Sequence, residues 1–168
     1  MKVPQFMPYV DMEEYEAIKH CFEINWITEG PKAKEFSQKL CDLIGVKYGV
    51  FAPNGTLALY LALRAIGVGP GDEVIVPDFT FIASANAVEM TGARPVFVDV
   101  NEEDLQINVE DCKRALSDKT KAIMPVHIYG FTSNMTQIMK FANDNNLLVI
   151  EDAAQALGIK WKGQGCGS

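Results

Sequence analysis

The chain has 168 residues, of which 48% are apolar and 22% are charged, so it can bury a sizeable core and is not disordered. Its net charge of −7 argues against nucleic acid as the main partner, because binding to a phosphate backbone needs clustered lysine and arginine. The four cysteines form no CxxC pair, and no segment resembles a signal peptide or a membrane span, so we expect a cytoplasmic protein with reduced thiols and no membrane association.

Two helices come first in the predicted structure. Residues 11–25 carry apolar side chains at helical spacing, with Asp11 in the position of an N-cap. A break at Gly30-Pro31 precedes the second helix, which is expected from about residue 32 to 44 and ends at Gly45.

A short strand, a turn and an apolar helix come next. Residues 48–52 are predicted as the strand, and residues 57–66 as a helix that is apolar nearly all round and therefore buried among other elements. The turn Asn54-Gly55-Thr56 lies between them. Such a turn at a helix N-terminus favours a phosphate, because free N–H groups and the helix dipole attract an anion. The alternative is a simple N-cap in which Asn54 or Thr56 bonds to those N–H groups.

The rest of the chain alternates between strands and helices, which predicts an α/β fold with a mostly parallel, doubly wound sheet. Strands are predicted at residues 73–77, 95–100, 121–127 and 147–150, and helices at residues 82–90, 108–116 and 134–145. Residues 158–168 favour a short strand and a glycine-rich loop. Because the chain does not finish on a terminal helix or edge strand, we expect it to be the N-terminal portion of a longer protein.

The strand at residues 147–150 leads directly into Glu151-Asp152. Four consecutive apolar residues predict a strand that is buried on both faces of the sheet. The carboxyl ends of such strands are where open α/β sheets bind ligands, and an acid buried there needs a cation or hydrogen-bond donors. The alternative is that the two acids only end the strand and cap the segment after it.

Three strand ends therefore carry candidate site residues: Asn54-Gly55-Thr56, Phe79-Thr80-Phe81, and Asp152 with Gln155. In a parallel sheet these ends share one edge. Together they offer a phosphate cradle, an aromatic face and a carboxylate. A phosphorylated pyridine ring needs that combination, since its nitrogen takes a carboxylate that keeps it protonated as an electron sink.

Six motifs make the chain resemble the DegT/DnrJ/EryC1/StrS family of pyridoxal-phosphate (PLP) sugar aminotransferases. They are Trp26-Ile27-Thr28-Glu29-Gly30-Pro31, Asn54-Gly55-Thr56, residues 69–77, residues 80–84, residues 125–130 and residues 151–156. The resemblance implies the large domain of the aspartate-aminotransferase fold (PLP-dependent transferase fold type I), here incomplete. Residues 1–30 would form an N-terminal helix and substrate-side segment, and residues 31–168 the N-terminal part of the PLP-binding large domain.

The resemblance also implies roles for the cofactor-site residues. Gly55 and Thr56 would bind the cofactor phosphate, and Phe81 would stack on the pyridine ring. Asp152 would pair with the ring nitrogen and act as the catalytic carboxylate, and Gln155 would reach the phenolic oxygen of the ring.

Other residues near these motifs have less specific expectations. Thr28 and Gly30 would lie near the entrance for the sugar nucleotide. Phe79 is expected in the core, and His127 is either a polar contact near the cofactor or a hydrogen-bonded structural histidine. Glu151 is expected to face a structural partner, because strand alternation sends it away from Asp152.

In this family the Schiff-base lysine lies downstream of the aspartate motif, in a segment that this chain does not contain. Lys160 and Lys162 do not match that motif, so neither is assigned the role and the chain alone is expected to be inactive. The implied activity converts a nucleotide-linked keto-sugar to an amino-sugar, with an amino acid such as glutamate as donor, in a homodimer. The alternatives are a PLP-dependent sugar dehydratase of the same family, or a non-catalytic fragment or binding subunit.

Overall fold

The computed structural model describes residue 4 and residues 7–168, which form two compact units, one ending at Lys39 and one running from Leu40 to Ser168. In the first unit, helix α1 begins after Asp11, as predicted. The Asp11 carboxylate accepts the N–H of Glu13 at 2.8 Å, and the Glu14 carboxylate accepts the N–H of Asp11 at 2.7 Å. This capping box fixes where α1 begins. No helix of the described residues is both long and apolar enough to cross a bilayer.

The helices and strands follow the predicted order closely. The helices are α1 (Met12–Glu23), α2 (Pro31–Ile44), α3 (Gly55–Ala65), α4 (Ala83–Met90), α5 (Val109–Ala115) and α6 (Met135–Asp144). The strands are β1 (Glu73–Pro77), β2 (Arg94–Val98), β3 (Thr120–Ile123), β4 (Leu148–Val149), β5 (Lys160–Trp161) and β6 (Gln164–Gly165).

Strands β1 to β4 form one sheet in the order β2-β1-β3-β4, with every neighbouring pair parallel. This confirms the predicted parallel sheet. Strands β5 and β6 form a separate antiparallel hairpin. In the hairpin, Gly165 lies so close to α2 that a Cβ there would come within 2.4 Å of the carbonyl oxygen of Ile44. Only glycine can therefore occupy position 165 so close to the backbone of α2.

The alternation of side chains along β1 serves two cores, one on each face of the sheet. Val74 and Val76 pack in the core that contains residues of α3 and α4, whereas Ile75 packs in the core that contains residues of α5 and α6. All three are fully buried. The sheet is therefore covered on both faces, and the apolar sequence of β1 is explained by burial on both sides.

Two expectations near α3 were wrong. Residues 48–52 form no strand, because no strand of the described sheet pairs with them, and the side chains of Tyr48 and Val50 are exposed. Helix α3 is also not buried all round. Leu59 and Leu63 face the core, but Leu61 on another side of the helix is 46% exposed. An apolar composition alone did not reveal that one side of α3 is only partly covered by the described residues.

The strand at residues 147–150 was wrongly expected to be buried on both faces. Strand β4 covers only Leu148–Val149 and lies at an edge of the described sheet. Leu148 is 43% exposed, while Leu147 before it is buried in the core of the α5–α6 face. A run of apolar residues shows that a strand is apolar, but not how many neighbours the strand has.

The buried carboxylate of Glu73 lies at the amino end of the sheet, where β1 begins. It accepts hydrogen bonds from Ser117 Oγ and Arg94 Nη2, both at 2.6 Å. The Ser117 hydroxyl, with the Arg94 guanidinium second, lowers the pKa of the Glu73 carboxyl below its usual value. Glu73 is thus a structural acid with its own cation.

Candidate active site

The candidate site lies at the carboxyl edge of the parallel strands. Strand β3 stops at Ile123 because Pro125 has no N–H to continue the ladder, but a parallel bridge joins Val126 to Asp152 further along. The backbone of Asp152 donates to the Pro125 carbonyl at 2.9 Å and accepts from the His127 N–H at 3.0 Å. The sheet itself therefore fixes the position of Asp152.

The carboxylate of Asp152 is buried, with the residue only 8% exposed. Its Oδ2 accepts the hydroxyl of Ser84 at 2.8 Å, and its Oδ1 accepts the N–H of Ala154 at 3.2 Å. Both donors are neutral, and no lysine, arginine or histidine of the described residues lies within ion-pair distance. A buried carboxylate without a cation is costly, so this site is suited to a cationic ligand.

The comparison with Glu73 shows why Asp152 is the candidate. Both carboxylates are buried at ends of the same sheet, and each accepts a serine hydroxyl. Glu73 also has the guanidinium of Arg94, whereas Asp152 has only the N–H of Ala154. Asp152 therefore lies, as expected, at the carboxyl ends of the strands, and its role toward a ligand stays a prediction.

Sequence reasoning missed the role of Ser84. This residue is in the first turn of α4, is fully buried and also lies 2.9 Å from the hydroxyl of Thr80. The motif at residues 80–84 contained both hydroxyls, four residues apart. Nothing in the motif indicated that Ser84 reaches a carboxylate 68 positions away in the sequence.

The loop between β1 and α4 carries the two candidate aromatic residues. Phe81 is 70% exposed, so its ring is open to a ligand. Phe79 was wrongly expected in the core. It is 40% exposed, because the chain leaves the sheet before Phe79 and carries it to the surface, and its ring makes a T-shaped contact with that of Tyr129, with centroids 6.1 Å apart.

Gln155 is held by the backbone of Tyr129, whose N–H donates to Gln155 Oε1 at 2.7 Å. Because a backbone N–H can only donate, the oxygen of the amide faces Tyr129 and the NH2 group is left to donate elsewhere. Tyr129 itself has a left-handed backbone, with φ of 54°. Non-glycine residues rarely adopt this conformation, and those that do are often at functional sites. Sequence reasoning gave Tyr129 no role.

Gly55 and Thr56 begin α3, which packs against α4. Asn54 caps the helix by accepting the N–H of Leu57 at 3.0 Å, and the Ala58 N–H bonds to the Asn54 carbonyl. Among the described residues, no acceptor bonds to the N–H groups of Gly55 and Thr56. The N-cap and the anion site were posed as alternatives, but the cap leaves two donors for an anion.

Gly55 has no structural need to be glycine. Its φ is not positive, and a Cβ there would meet nothing within 4 Å. Intrinsic helix propensity favours alanine over glycine, so helix formation does not explain a glycine here. A ligand that approaches the backbone closely would explain why residue 55 is glycine.

His127 is a structural residue, which resolves the two possibilities left open by its sequence. It is fully buried, its Nδ1 accepts the N–H of Ser133 at 3.0 Å, and its Nε2 lies 2.7 Å from Glu151 Oε2. Because Nδ1 accepts, the ring proton is on Nε2 and is donated to Glu151. The same Glu151 oxygen accepts the N–H of Gly167 at 3.0 Å, so Glu151 faces structural partners as expected.

Thr28 and Gly30 lie in the first compact unit, after α1. Thr28 is exposed. A Cβ at Gly30 would come within 2.7 Å of the indole of Trp26, whose Nε1 donates to the Glu29 carbonyl at 2.9 Å. Gly30 therefore has a packing reason to be glycine. Lys162, in the second unit, donates to Thr136 at 3.0 Å.

Comparisons with known proteins give the family of this chain. Residues 8–168 match the DegT/DnrJ/EryC1/StrS aminotransferase family. GDP-perosamine synthase of Escherichia coli O157:H7 is 44% identical over 99% of this chain and 46% of its own length. UDP-N-acetyl-3-dehydro-alpha-D-glucosamine 3-aminotransferase of Acidithiobacillus ferrooxidans is 49% identical over 83% of this chain and 38% of its own length.

A solved structure extends the likeness to the fold. Spr1654 of Streptococcus pneumoniae, in its PMP form, superposes with a TM-score of 0.94 at 31% identity, covering all of this chain and 46% of that chain. The chain thus spans less than half the length of these relatives. The incomplete PLP-dependent transferase fold that the motifs implied is confirmed, and the chain belongs to the DegT/DnrJ/EryC1/StrS aminotransferase family.

Proposed function

We propose that this chain is part of a PLP-dependent aminotransferase that converts a nucleotide-linked keto-sugar to an amino-sugar, with an amino acid such as glutamate as donor. The observation that carries the proposal is Asp152, a buried carboxylate with two neutral donors and no cation. Members of the family use PLP, and Spr1654 is known in a PLP form and a PMP form. When bound, PLP supplies a protonated pyridine ring that acts as an electron sink.

The residues of this chain fit that cofactor. Asp152 would hold the proton on the ring nitrogen, and the exposed ring of Phe81 would stack on the pyridine face. The free N–H groups of Gly55 and Thr56 would bind the phosphate. The amide NH2 of Gln155 would donate to the phenolic oxygen, since its Oε1 is already bonded to Tyr129.

The substrate and assembly proposals have different support. Two relatives carry names with GDP- or UDP-linked sugars, which supports a nucleotide-linked substrate. We propose that Thr28 and Gly30 lie on its side of the site. We also propose a domain boundary at residue 30. The full protein would be a homodimer and would be cytoplasmic. All four cysteines are free thiols, in agreement with a reducing compartment.

Borohydride reduction of the natural gene product after incubation with PLP tests the proposal. We expect one covalent pyridoxyl group per chain, on a lysine outside residues 1–168, seen as a mass increase and located by peptide mapping. A product that binds PLP reversibly but takes no adduct would favour the dehydratase of this family. A product that does not bind PLP at all would overturn the proposal.

Gly55→Ala is expected to weaken PLP binding without weakening the fold. The added methyl group would stand where the phosphate meets the N–H groups, and the loss of one hydrogen bond to a charged group corresponds to a dissociation constant raised about 10- to 100-fold. The thermal midpoint should stay the same or rise, because a Cβ at Gly55 meets open space and alanine favours the helix.

Gly69→Ala is the matched control for that measurement. Gly69 also has an ordinary φ, and its Cβ would lie 3.3 Å from Arg64 Nη1 and 4.0 Å from the Thr91 carbonyl oxygen, neither of which belongs to the candidate site. Its PLP affinity, measured by fluorescence titration of the apoprotein, should equal that of the wild type. Equal affinities for all three proteins would remove Gly55 from the phosphate site.

A further inference from the structure

The three oxygen-bearing side chains of Thr80, Ser84 and Asp152 form a directed chain of hydrogen bonds. Ser84 Oγ lies 2.8 Å from Asp152 Oδ2 and 2.9 Å from Thr80 Oγ1. A carboxylate oxygen can only accept, so the single proton of the Ser84 hydroxyl is donated to Asp152. The Thr80 hydroxyl must then donate to Ser84. The direction of both bonds follows from the chemistry of Asp152.

This chain of bonds joins two parts of the candidate site. Thr80 is half-buried and is directly followed by Phe81, whose ring is exposed at the same edge of the sheet. Asp152 belongs to the segment after β4, and Ser84 is the fully buried link between that segment and the loop after β1. A change at Ser84 would therefore affect the carboxylate and the aromatic loop together.

The carboxylate of Asp152 is held on both oxygens. Ser84 bonds to Oδ2 and the Ala154 N–H bonds to Oδ1 at 3.2 Å, so the group cannot rotate without losing a bond. Each carboxylate oxygen can accept more than one hydrogen bond, which leaves capacity for a ligand N–H. The Ser84 hydroxyl and the Ala154 N–H therefore fix the plane in which the Asp152 carboxylate can accept a hydrogen bond from a ligand.

We propose that Ser84, oriented by Thr80, is a positioning residue that fixes the plane of the Asp152 carboxylate relative to the ring of Phe81. This rests on the proposed function, in which Asp152 and Phe81 hold the two sides of a flat cationic ring. Ser84 does not touch the ring. It acts by keeping the carboxylate in one orientation before the ligand arrives, which lowers the cost of ordering on binding.

The alternative is that the Ser84 hydroxyl only satisfies a buried polar group. That role would make its loss destabilising but would leave the orientation of a bound ligand unchanged. The circular dichroism of the visible PLP band separates the two roles, because that signal depends on how the ring is held. The dissociation constant of PLP for the apoprotein is the second measurement.

The experiment compares four variants of the natural gene product. Ser84→Ala removes the donor to Asp152, and Thr80→Val removes only the donor to Ser84. Thr80→Ser keeps that hydroxyl and is the conservative rescue. Ser133→Ala removes another fully buried hydroxyl, which bonds to Gln106 Oε1 at 2.9 Å and not to Asp152.

For Ser84→Ala we expect PLP to bind about tenfold more weakly, with a reduced visible dichroism per bound PLP, as for loss of one hydrogen bond to a charged group. Thr80→Val should change both values in the same direction but less, about threefold in affinity, and Thr80→Ser should restore them. Ser133→Ala should lower the thermal midpoint yet keep the PLP affinity and dichroism of the wild type.

Unchanged affinity and dichroism in both Ser84→Ala and Thr80→Val would overturn the proposal. If Ser84→Ala fails to fold, Thr80→Val decides alone, because Thr80 is only half-buried. A failure of the proposed function looks different: the wild type itself would not bind PLP, and the positioning role would fall with it. Equal losses of PLP binding in Ser133→Ala and Ser84→Ala would also contradict the proposal, since they would indicate a general loss of stability.

Discussion

Replacing Asp152 with asparagine is expected to slow amino-group transfer by the full-length protein about 10²- to 10³-fold, the range found when one group that stabilises transition-state charge is removed. The amide has the shape of the carboxylate but not its charge, so it cannot hold a proton on a pyridine nitrogen. The measurement is the rate at which bound PLP is converted to the PMP form by glutamate, followed by absorbance in a stopped-flow instrument. This half-reaction does not require the sugar substrate to be known.

The fold should tolerate Asp152→Asn. The hydroxyl of Ser84 can rotate to accept from the new NH2 group, and the amide oxygen can keep the N–H of Ala154, so both existing contacts survive. A loss of rate would then reflect the missing charge and not a disordered site.

Glu73→Gln provides the matched control for Asp152→Asn. It also removes a buried carboxylate that accepts a serine hydroxyl, but at the opposite end of the sheet. Because Glu73 also pairs with Arg94, its loss should lower the unfolding midpoint and leave the half-reaction rate unchanged. If Asp152→Asn reacts as fast as Glu73→Gln, Asp152 does not bind the ring nitrogen.

His127→Ala is expected to destabilise the protein by about 3–5 kcal/mol, among the largest effects of any single substitution. The change leaves a cavity where a fully buried ring was, and it removes the acceptor of the Ser133 N–H and the donor to Glu151. Buried groups without partners add their desolvation cost to that of the cavity. The midpoint of urea unfolding, monitored by circular dichroism, measures the effect.

His20→Ala is the control for this prediction. His20 lies on the exposed surface of α1, so its loss should change stability by less than about 0.5 kcal/mol. The PLP affinity of folded His127→Ala should stay near that of the wild type. A variant with normal stability and impaired PLP binding would show instead that His127 contacts the ligand.

The fold could be predicted wherever local chemistry determines structure. Asp11 as a cap for α1 and the apolar run of β1 gave the correct elements, because a cap acts within one turn and an apolar strand of this kind needs cover on both faces. Exposure was harder to predict. Whether Leu61, Leu148 or Phe79 is covered depends on neighbours distant in sequence, and in each case fewer neighbours were present than composition suggested.

The positions of the candidate site residues could be predicted only in part, for the same reason. Asp152 was identified because it follows a strand, and strand ends meet at one edge of a parallel sheet. Ser84 was missed because its bond to Asp152 joins residues 68 positions apart, and a serine in a helix shows no sign of its partner. Tyr129 was missed because a positive φ at a tyrosine cannot be inferred from its neighbours.

The division of the hydrophobic interior into two layers has a consequence for evolution. Side chains of β1 alternate between the layer with α3 and α4 and the layer with α5 and α6. Helices α3 and α4, which carry Gly55 and Ser84, pack in the first layer, so under the proposed function a volume change there would disturb ligand geometry as well as stability. A volume change in the second layer mainly lowers stability, and a compensating substitution elsewhere can restore the lost stability. Homologous proteins that diverge in substrate should therefore accumulate accepted substitutions faster beneath α5 and α6 than beneath α3 and α4.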